Sequence, residues 1–319
     1  MRTQILKQCD STNDQLKRLS CQKDFRPPLA VIAREQSAGR GRWGRRWASP
    51  SGGVYFSLVV EAPAPVERLS ALPLVVALAV HETLTAFSPR VALKWPNDLL
   101  ALDDAGVAAG KLAGILVETL EQMAAPRLAI IGVGVNIQRP LSFADEPPTA
   151  TPAYLGDLVA APTAVAGPAA EGSPATAAGS TAAAGSATAA GPAVAGPAAG
   201  GSPATAAGST AAAGSATAAG STAATAPDPI ALAQLALAAI EDYLGRWARG
   251  DYHFAPLVSR YLQHLALLDK NIPMCNTSGK EVGRGTVSGV DENGALLLAT
   301  ADGQTQAFSC GEITLNPGY

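Results

Sequence analysis

Short apolar, β-branched runs separated by polar turns recur through the first 140 positions. Leu29–Ala33, Val54–Val60, Val91–Trp95, Leu112–Glu118 and Leu128–Ile137 each predict a buried strand. Leu69–Phe87 stays apolar too long for a strand and carries Pro73 in its first turns, where proline is tolerated; it predicts a helix. Further on, Asp228 and Pro229 form an N-cap and first helical residue, and Ile230, Leu235, Leu237, Ile240, Leu244 and Trp247 follow at helical spacing up to Gly250. A second, shorter helix is predicted across Phe254–Leu265. In Lys280–Leu315 the pattern changes to strand-like runs parted by Asn293-Gly294 and Asp302-Gly303, both hairpin turns, giving a β-meander of three or four strands. So small a meander buries little alone and is expected to pack on the larger body. The expected fold is α+β, a mixed sheet flanked by helices followed by a small β unit.

The 48% hydrophobic content of the 319 residues is concentrated in one place. Residues 160–226 are Ala, Gly, Ser, Thr and Pro except for Val165, Glu171 and Val194, and Ala164–Gly191 recurs as Ala193–Gly220 with one mismatch. No large apolar residue is present to bury, so the stretch reads as a disordered low-complexity insert; a mucin-like stalk is the alternative. It carries one of the chain's 49 charged residues, so the other 252 are about 19% charged, near an ordinary globular protein. Because the helix from Asp228 is needed to cover a sheet face, the insert interrupts one domain: 1–268 with the interruption at 160–226, then a β domain at 269–319. Lengthening a loop to that size costs roughly 2 kcal/mol.

Three broad classes lose support. No run approaches the ~20 continuous apolar residues of a spanning helix, and the N-terminus lacks a signal peptide's apolar core. Cys9, Cys21, Cys275 and Cys310 make no CxxC pair and no metal spacing with His81, His253 or His264, so free thiols in a reducing cytoplasm are expected. A net charge of −3 provides no global field for nucleic acid.

The basic charge is locally concentrated instead. Arg34, Arg40, Arg42, Arg45 and Arg46 stand among Gly39, Gly41 and Gly44 directly after a predicted strand. Glycines let the backbone approach a ligand while guanidinium forks surround a phosphate or carboxylate, and Trp43 and Trp47 offer stacking surfaces. A solvated basic loop or an RG-rich nucleic-acid segment is the alternative. GxxxxGK[ST] is absent, and GRGRWG lacks the βαβ context of a dinucleotide site.

Three other stretches carry candidate chemistry. In Lys94-Trp-Pro-Asn97-Asp98 a strand broken at Pro96 presents an amide and a carboxylate, suited to a metal or to orienting a reacting group; an Asx turn is the alternative. In Gly110-Lys111-Leu-Ala-Gly114 a lysine opens an apolar strand and could neutralise charge developing on a phosphate or acyl group. In Gly132-Val-Gly134-Val-Asn136 one strand face loses its side chains, so something flat can lie on it, unless the glycines mark a bulge. Asp10-Ser11-Thr12-Asn13-Asp14 is a helix cap whose hydroxyls could also meet a ligand.

Together, STN, EQSAGRGRWGRRW, KWPNDL, GKLAGILVE and GVGVN, in this order over about residues 8–140, closely resemble the biotin protein ligases. The resemblance implies a class II synthetase-like catalytic domain and a C-terminal SH3-like β-barrel. It implies that biotin and ATP, with Mg²⁺, give biotinyl-5′-AMP, and that a lysine of a biotin carboxyl carrier domain then takes the biotin. By the same resemblance, Ser11, Thr12, Asn13, Gln36, Gly39, Arg40, Gly41, Arg42, Lys111, Gly114 and Leu116 are expected at biotin. Arg42, Arg45, Trp47, Asn97 and Asn136 are expected at the nucleotide, and Arg40, Arg42, Lys111 and Asp98 in catalysis. Metal ligands stay unassigned, and association into homodimers through sheet edges stays open. With nine residues ahead of Asp10 there is no room for a winged helix-turn-helix, so specific DNA binding is not expected. A lipoate- or octanoate-type ligase and a non-catalytic biotin sensor are the competing readings.

Overall fold

The computed structural model describes residues 1–120, 127–140, 150–159 and 226–313. Apart from Ala226, the insert expected at 160–226 lies outside the described residues. Met1–Pro162 and Ala223–Tyr319 form one compact unit, described below; the other unit, Thr163–Thr222, is not among the described residues.

Seven strands form the main sheet: β1 (Arg2–Cys9), β2 (Leu29–Gln36), β3 (Gly53–Glu61), β4 (Val91–Lys94), β5 (Asp98–Leu102), β6 (Ala108–Leu120) and β7 (Leu128–Asn136), in the order β1-β2-β3-β7-β6-β5-β4. Only β1 and β2 pair in parallel; the remaining pairs are antiparallel. The mixed sheet was anticipated, but β1 and β5 were not. β1 is an exposed edge strand whose polar sequence lacks an apolar face. β5 follows β4 so closely that Pro96, read as a strand terminator, lies in the turn of a β4–β5 hairpin in which Lys94 faces Asp98.

The two-residue period of the strands sorts the core into two faces. Val54, Phe56 and Leu58 of β3, with Ala129, Ile131, Val133 and Val135 of β7, belong to the large cluster beneath α2 (Leu72–Thr85) and α4 (Pro229–Arg249). Alternate residues Val31, Val59, Leu128 and Ile130 meet Leu16 of α1 (Thr12–Ser20) on the opposite face. The N-terminal turn of α1 reaches Ser57 and Gly132, which are in register with Leu116, and past α1 lie Tyr55, Gly134 and Gly114. Leu116, Gly132, Gly134 and Gly114 of this row border a cavity, with Asn13 lying on Gly132 and Trp47 on the other two glycines.

Val66–Thr85 is apolar and long enough by composition to cross a membrane, but two-thirds of it is buried within this fold. Leu72, every residue from Leu74 to His81, Thr83 and Leu84 of α2 are buried, so it is a core helix packed on all sides. α4 begins as its sequence predicts: Asp228 caps the backbone N–H of Ala231 at 3.0 Å and Pro229 occupies the first turn. Its buried stripe differs in one respect. Leu235 is exposed, while Ala233 and Ala236 face the core, since small residues allow the close approach to α2.

After a short α3 (Leu155–Val159) and α5 (Ala255–Gln263), a five-stranded antiparallel sheet has the order β11-β10-β9-β8-β12. Its strands are β8 (Asn271–Cys275), β9 (Glu281–Val290), β10 (Leu296–Ala299), β11 (Thr305–Phe308) and β12 (Glu312–Ile313). Both predicted turns form, with Gly294 and Gly303 at positive φ. The first anchors the sheet: Trp95 Nε1 donates to Gly294 O at 3.0 Å, and Ser70 Oγ donates to Asn293 O at 2.7 Å. Ile272, Met274, Val287 and Leu298 join the same apolar cluster as α2 and α4.

Candidate functional site

A cavity of about 530 Å³ opens over the β6–β7 part of that row, between the N-terminus of α1, the basic loop, the β4–β5 hairpin and β12. Its inner end is neutral and almost closed to water. Ser11, Thr12, Asn13 and Ser57 are buried. Ser57 Oγ lies 2.6 Å from both Asn13 Oδ1 and Thr12 Oγ1. A hydroxyl has one proton, and the amide oxygen can only accept, so Ser57 donates to Asn13. Gln36 Oε1 accepts from the Thr12 backbone N–H at 2.8 Å, and Gln36 Nε2 donates to Ser49 Oγ at 2.8 Å. Ser57 and Ser49 were not picked out from the sequence; a serine inside an apolar strand, as in VYFSLVV, was the available signal.

The glycine face is occupied by the chain's own side chains. A Cβ on Gly132 would overlap Asn13 Oδ1. A Cβ on Gly134 would come within 2.6 Å of Trp47 Nε1, and one on Gly114, its cross-strand partner, within 2.8 Å of the same ring. The flat object expected against these glycines is therefore the Trp47 indole. Its N–H is buried with no hydrogen-bond partner among the described residues, and Lys111 Nζ lies 5.1 Å from the ring centroid.

The basic stretch is a folded hairpin. Trp47 N donates to Gly39 O at 2.9 Å, Gly41 N to Arg45 O at 2.7 Å, and Arg42–Gly44 make a 3-10 turn. Trp43 sits at φ 57° there, with the Arg42 guanidinium 4.4 Å from its ring centroid. Three of the four arginines bordering the cavity lean on different elements. Arg40 Nη2 donates to Asp14 Oδ1 at 2.5 Å, and Arg42 Nη1 to Asn97 Oδ1 at 3.1 Å. Arg45 forms a two-pronged pair with Glu312 of β12. That contact draws the C-terminal sheet into the cavity wall, and nothing in the isolated GEI sequence announces it.

Lys111 lies within β6 rather than at its start, and its ammonium is 2.8 Å from Asp98 Oδ1. Lys94 also lines the cavity and was not singled out; burial pushes its ammonium below the usual lysine range, against the pull of Asp98. Burial likewise lowers Arg42, with Asp98 and Glu312 opposing. The hydrogen bond from Arg45 holds the Glu312 carboxyl below the ordinary range.

Of the expected residues, Ser11, Thr12, Asn13, Gln36, Arg40, Gly41, Arg42, Arg45, Trp47, Asn97, Asp98, Lys111, Gly114 and Leu116 all border this cavity. Gly39 is not in its lining: it is packed against Ser49 and Trp47 and serves the hairpin. Asn136 borders an adjoining cavity of about 70 Å³, with Trp47 and Lys111 between the two, and its Nδ2 donates to Lys111 O at 3.1 Å. Among the described residues, no three His, Cys, Asp or Glu side chains cluster as metal ligands.

Residues 5–136 match the biotin/lipoate A/B protein ligase family, and residues 267–315 match the biotin protein ligase C terminal domain. The chain belongs to the biotin protein ligase family. It is 36% identical over 155 residues to the biotin--[acetyl-CoA-carboxylase] ligase of Paracoccus denitrificans, covering 46% of this chain and 60% of that protein. It is 39% identical over 166 residues to the ligase of the same name from Mycobacterium tuberculosis, covering 50% and 56%. These matches thus span less than two-thirds of either relative. In fold, the chain is similar to the biotin protein ligase of Aquifex aeolicus solved with biotin and ATP, at TM-score 0.60 and 20% identity over 98% of this chain and 97% of that one. It is also similar to the Leishmania major ligase solved with biotinyl-5-AMP, at TM-score 0.50 and 19% identity over 97% and 99%.

Proposed function

We propose that this chain activates biotin with ATP as biotinyl-5′-AMP and transfers it to a lysine of a biotin carboxyl carrier domain. The observation that carries the reading is the polarity of one cavity. Its inner end offers neutral, buried hydrogen-bonding groups, and its outer end gathers Arg40, Arg42, Lys94 and Lys111. Biotin has that polarity, with a neutral urea ring at one end and a carboxylate at the other. The family match and the ligands named for the Aquifex and Leishmania proteins support the same reading.

In the first half-reaction, a biotin carboxylate oxygen bonds to the α-phosphorus and the α–β phosphoanhydride breaks, releasing pyrophosphate. Two anions must approach each other, so fixed cations at their meeting point contribute most. Lys111 and Arg42 are our candidates there, with Asp98 holding Lys111 in place until an anion displaces the pair. In the second half-reaction, the carrier's uncharged lysine amine attacks the acyl carbon, AMP leaves and the amine proton is lost. Trp43, Trp47 and Asn136 are the candidates for the nucleotide side. Asp98, which borders the cavity, is the candidate carboxylate to hold Mg²⁺, which when bound would offset charge on the nucleotide's phosphates and needs few protein ligands.

We read the C-terminal sheet as the SH3-like unit of the family, with a boundary near residue 268. Four cysteines free of disulfides fit a cytoplasmic setting. Biotin-dependent pyrophosphate release from ATP, followed by labelling of a carrier domain, tests the proposal. Release driven by lipoate or octanoate instead of biotin would move the chain to that ligase class, and biotin binding without turnover would leave it a sensor.

A further inference from the structure

Glu118, on β6, lies outside every role assigned above, yet its carboxylate receives three groups, two from α1 and one from the basic hairpin. Asn13 Nδ2 donates to Oε2 at 2.8 Å, Lys17 Nζ to Oε1 at 2.8 Å, and Arg40 Nη2 lies 3.3 Å from each oxygen. Asn13 and Lys17 are one helical turn apart on α1, so both reach the same acceptor. Burial alone would raise this carboxyl, but the bonds from Lys17 and Asn13 prevail and hold it below the usual range.

We propose that Glu118 is a positioning residue that sets the orientation of the Asn13 carboxamide at the cavity floor, and through it the recognition of biotin's urea ring. It rests on the ligase reading for the identity of that ring. Asn13 has two amide protons and two lone pairs on Oδ1. Glu118 takes one proton, and Ser57 Oγ fills one lone pair at 2.6 Å. One donor and one acceptor position then remain on a group that borders the cavity. A cyclic urea, with N–H donors beside a carbonyl, complements that pair. Without Glu118, the amide is held at its oxygen alone and can turn about that contact. Gly132 leaves the Asn13 amide no side-chain buffer on the strand beneath it, so its direction is set by these two bonds.

Glu118→Thr keeps a strand-forming residue but is too short to reach Asn13, whereas Glu118→Gln retains an acceptor oxygen at the same reach. Calorimetric biotin binding and steady-state kinetics on the full chain separate them, with melting temperature as the check on folding. The Thr variant should weaken biotin Kd and raise biotin KM at least tenfold, with kcat and the ATP KM within threefold of wild type. The Gln variant should restore both biotin constants to within threefold. If the Thr variant does not fold, the Gln variant with Asn13→Asp provides the second comparison. An acid in place of the amide should lose biotin binding beside Glu118 and regain part of it beside Gln. Equal Kd in wild type and Thr, or equal losses in Thr and Gln, overturns the proposal while leaving the ligase reading intact. Biotin binding by wild type without pyrophosphate release sinks the ligase reading, yet the Kd comparison still decides Glu118. No binding by wild type overturns both.

Discussion

The two ends of the cavity are built on different principles. The inner end is made of rigid elements: Ser57 and Gly132 face each other across β3 and β7, and α1 presses Thr12 and Asn13 onto them. Its hydrogen bonds are buried, so each missing partner leaves a desolvated group. The outer end is a hairpin whose arginines are half-exposed and paired to Asp14, Asn97 and Glu312. Such pairs are weak individually and exchange readily for a better anion. One end is thus preorganised for a neutral shape, and the other keeps its cations ordered until charge arrives.

The same substitution two residues apart on β7 would break this comparison if it were wrong. Gly132→Ala drives a methyl into buried Asn13, whereas Gly134→Ala meets Trp47 on the more yielding hairpin. Biotin kcat/KM should fall about 100-fold for the first, roughly 3 kcal/mol, and no more than about tenfold for the second. Equal losses would mean that the hairpin is as rigid as the floor.

Acid should weaken the scaffold under both ends before it unpairs the outer one. Burial, then the neighbouring His264, lowers His81 on α2 from 6.5 to about 4. The folded state therefore binds fewer protons than the unfolded chain between those values. Its contribution is complete above pH 6.5 and is lost as pH falls toward 4, on the order of 3 kcal/mol. A pH series of melting temperatures should be flatter in His81→Gln over that window, while the Glu312 pair, held below the usual carboxyl range, persists through most of it.

Arg42→Gly should slow adenylate formation by more than about tenfold, Lys111 being left as the cation there, and should also release the adenylate that forms early, since the guanidinium bridging the hairpin to Asn97 is gone. Mass spectrometry of a bystander protein should show several-fold more untargeted lysine labelling; no increase removes Arg42 from the retention role. Ser57→Ala removes the donor to Asn13 and should cost about 1–2 kcal/mol of biotin affinity by calorimetry, roughly five- to thirtyfold. Glu312→Gln should be mildest, changing ATP KM by about threefold or less, with the difference shrinking as salt is raised. A larger, salt-insensitive effect would place β12 among the rigid parts.

Much of the outer end was legible because arginine-glycine alternation is a composition signal, readable without knowing what the loop touches. The helix from Asp228 was equally legible, since cap, proline and period agree locally. β1 escaped because an edge strand needs no apolar face, and β5 because a hairpin was compressed into what read as a strand end. Ser57, Glu118 and Glu312 escaped for another reason: each matters through a partner more than 40 positions away.

By itself the sequence determined the strand and helix periods, the two C-terminal turns, the position of the basic loop and the family motifs. These depend on neighbours within a few residues, where backbone geometry dictates periodicity and turn chemistry. Only the tertiary structure decided that α1 leaves part of one sheet face uncovered, that Trp47 lies on the paired glycines Gly114 and Gly134, and that β12 reaches the hairpin. Those facts arise from strand register and from the docking of one sheet on another, which bring distant residues within hydrogen-bonding distance and have no counterpart in local sequence.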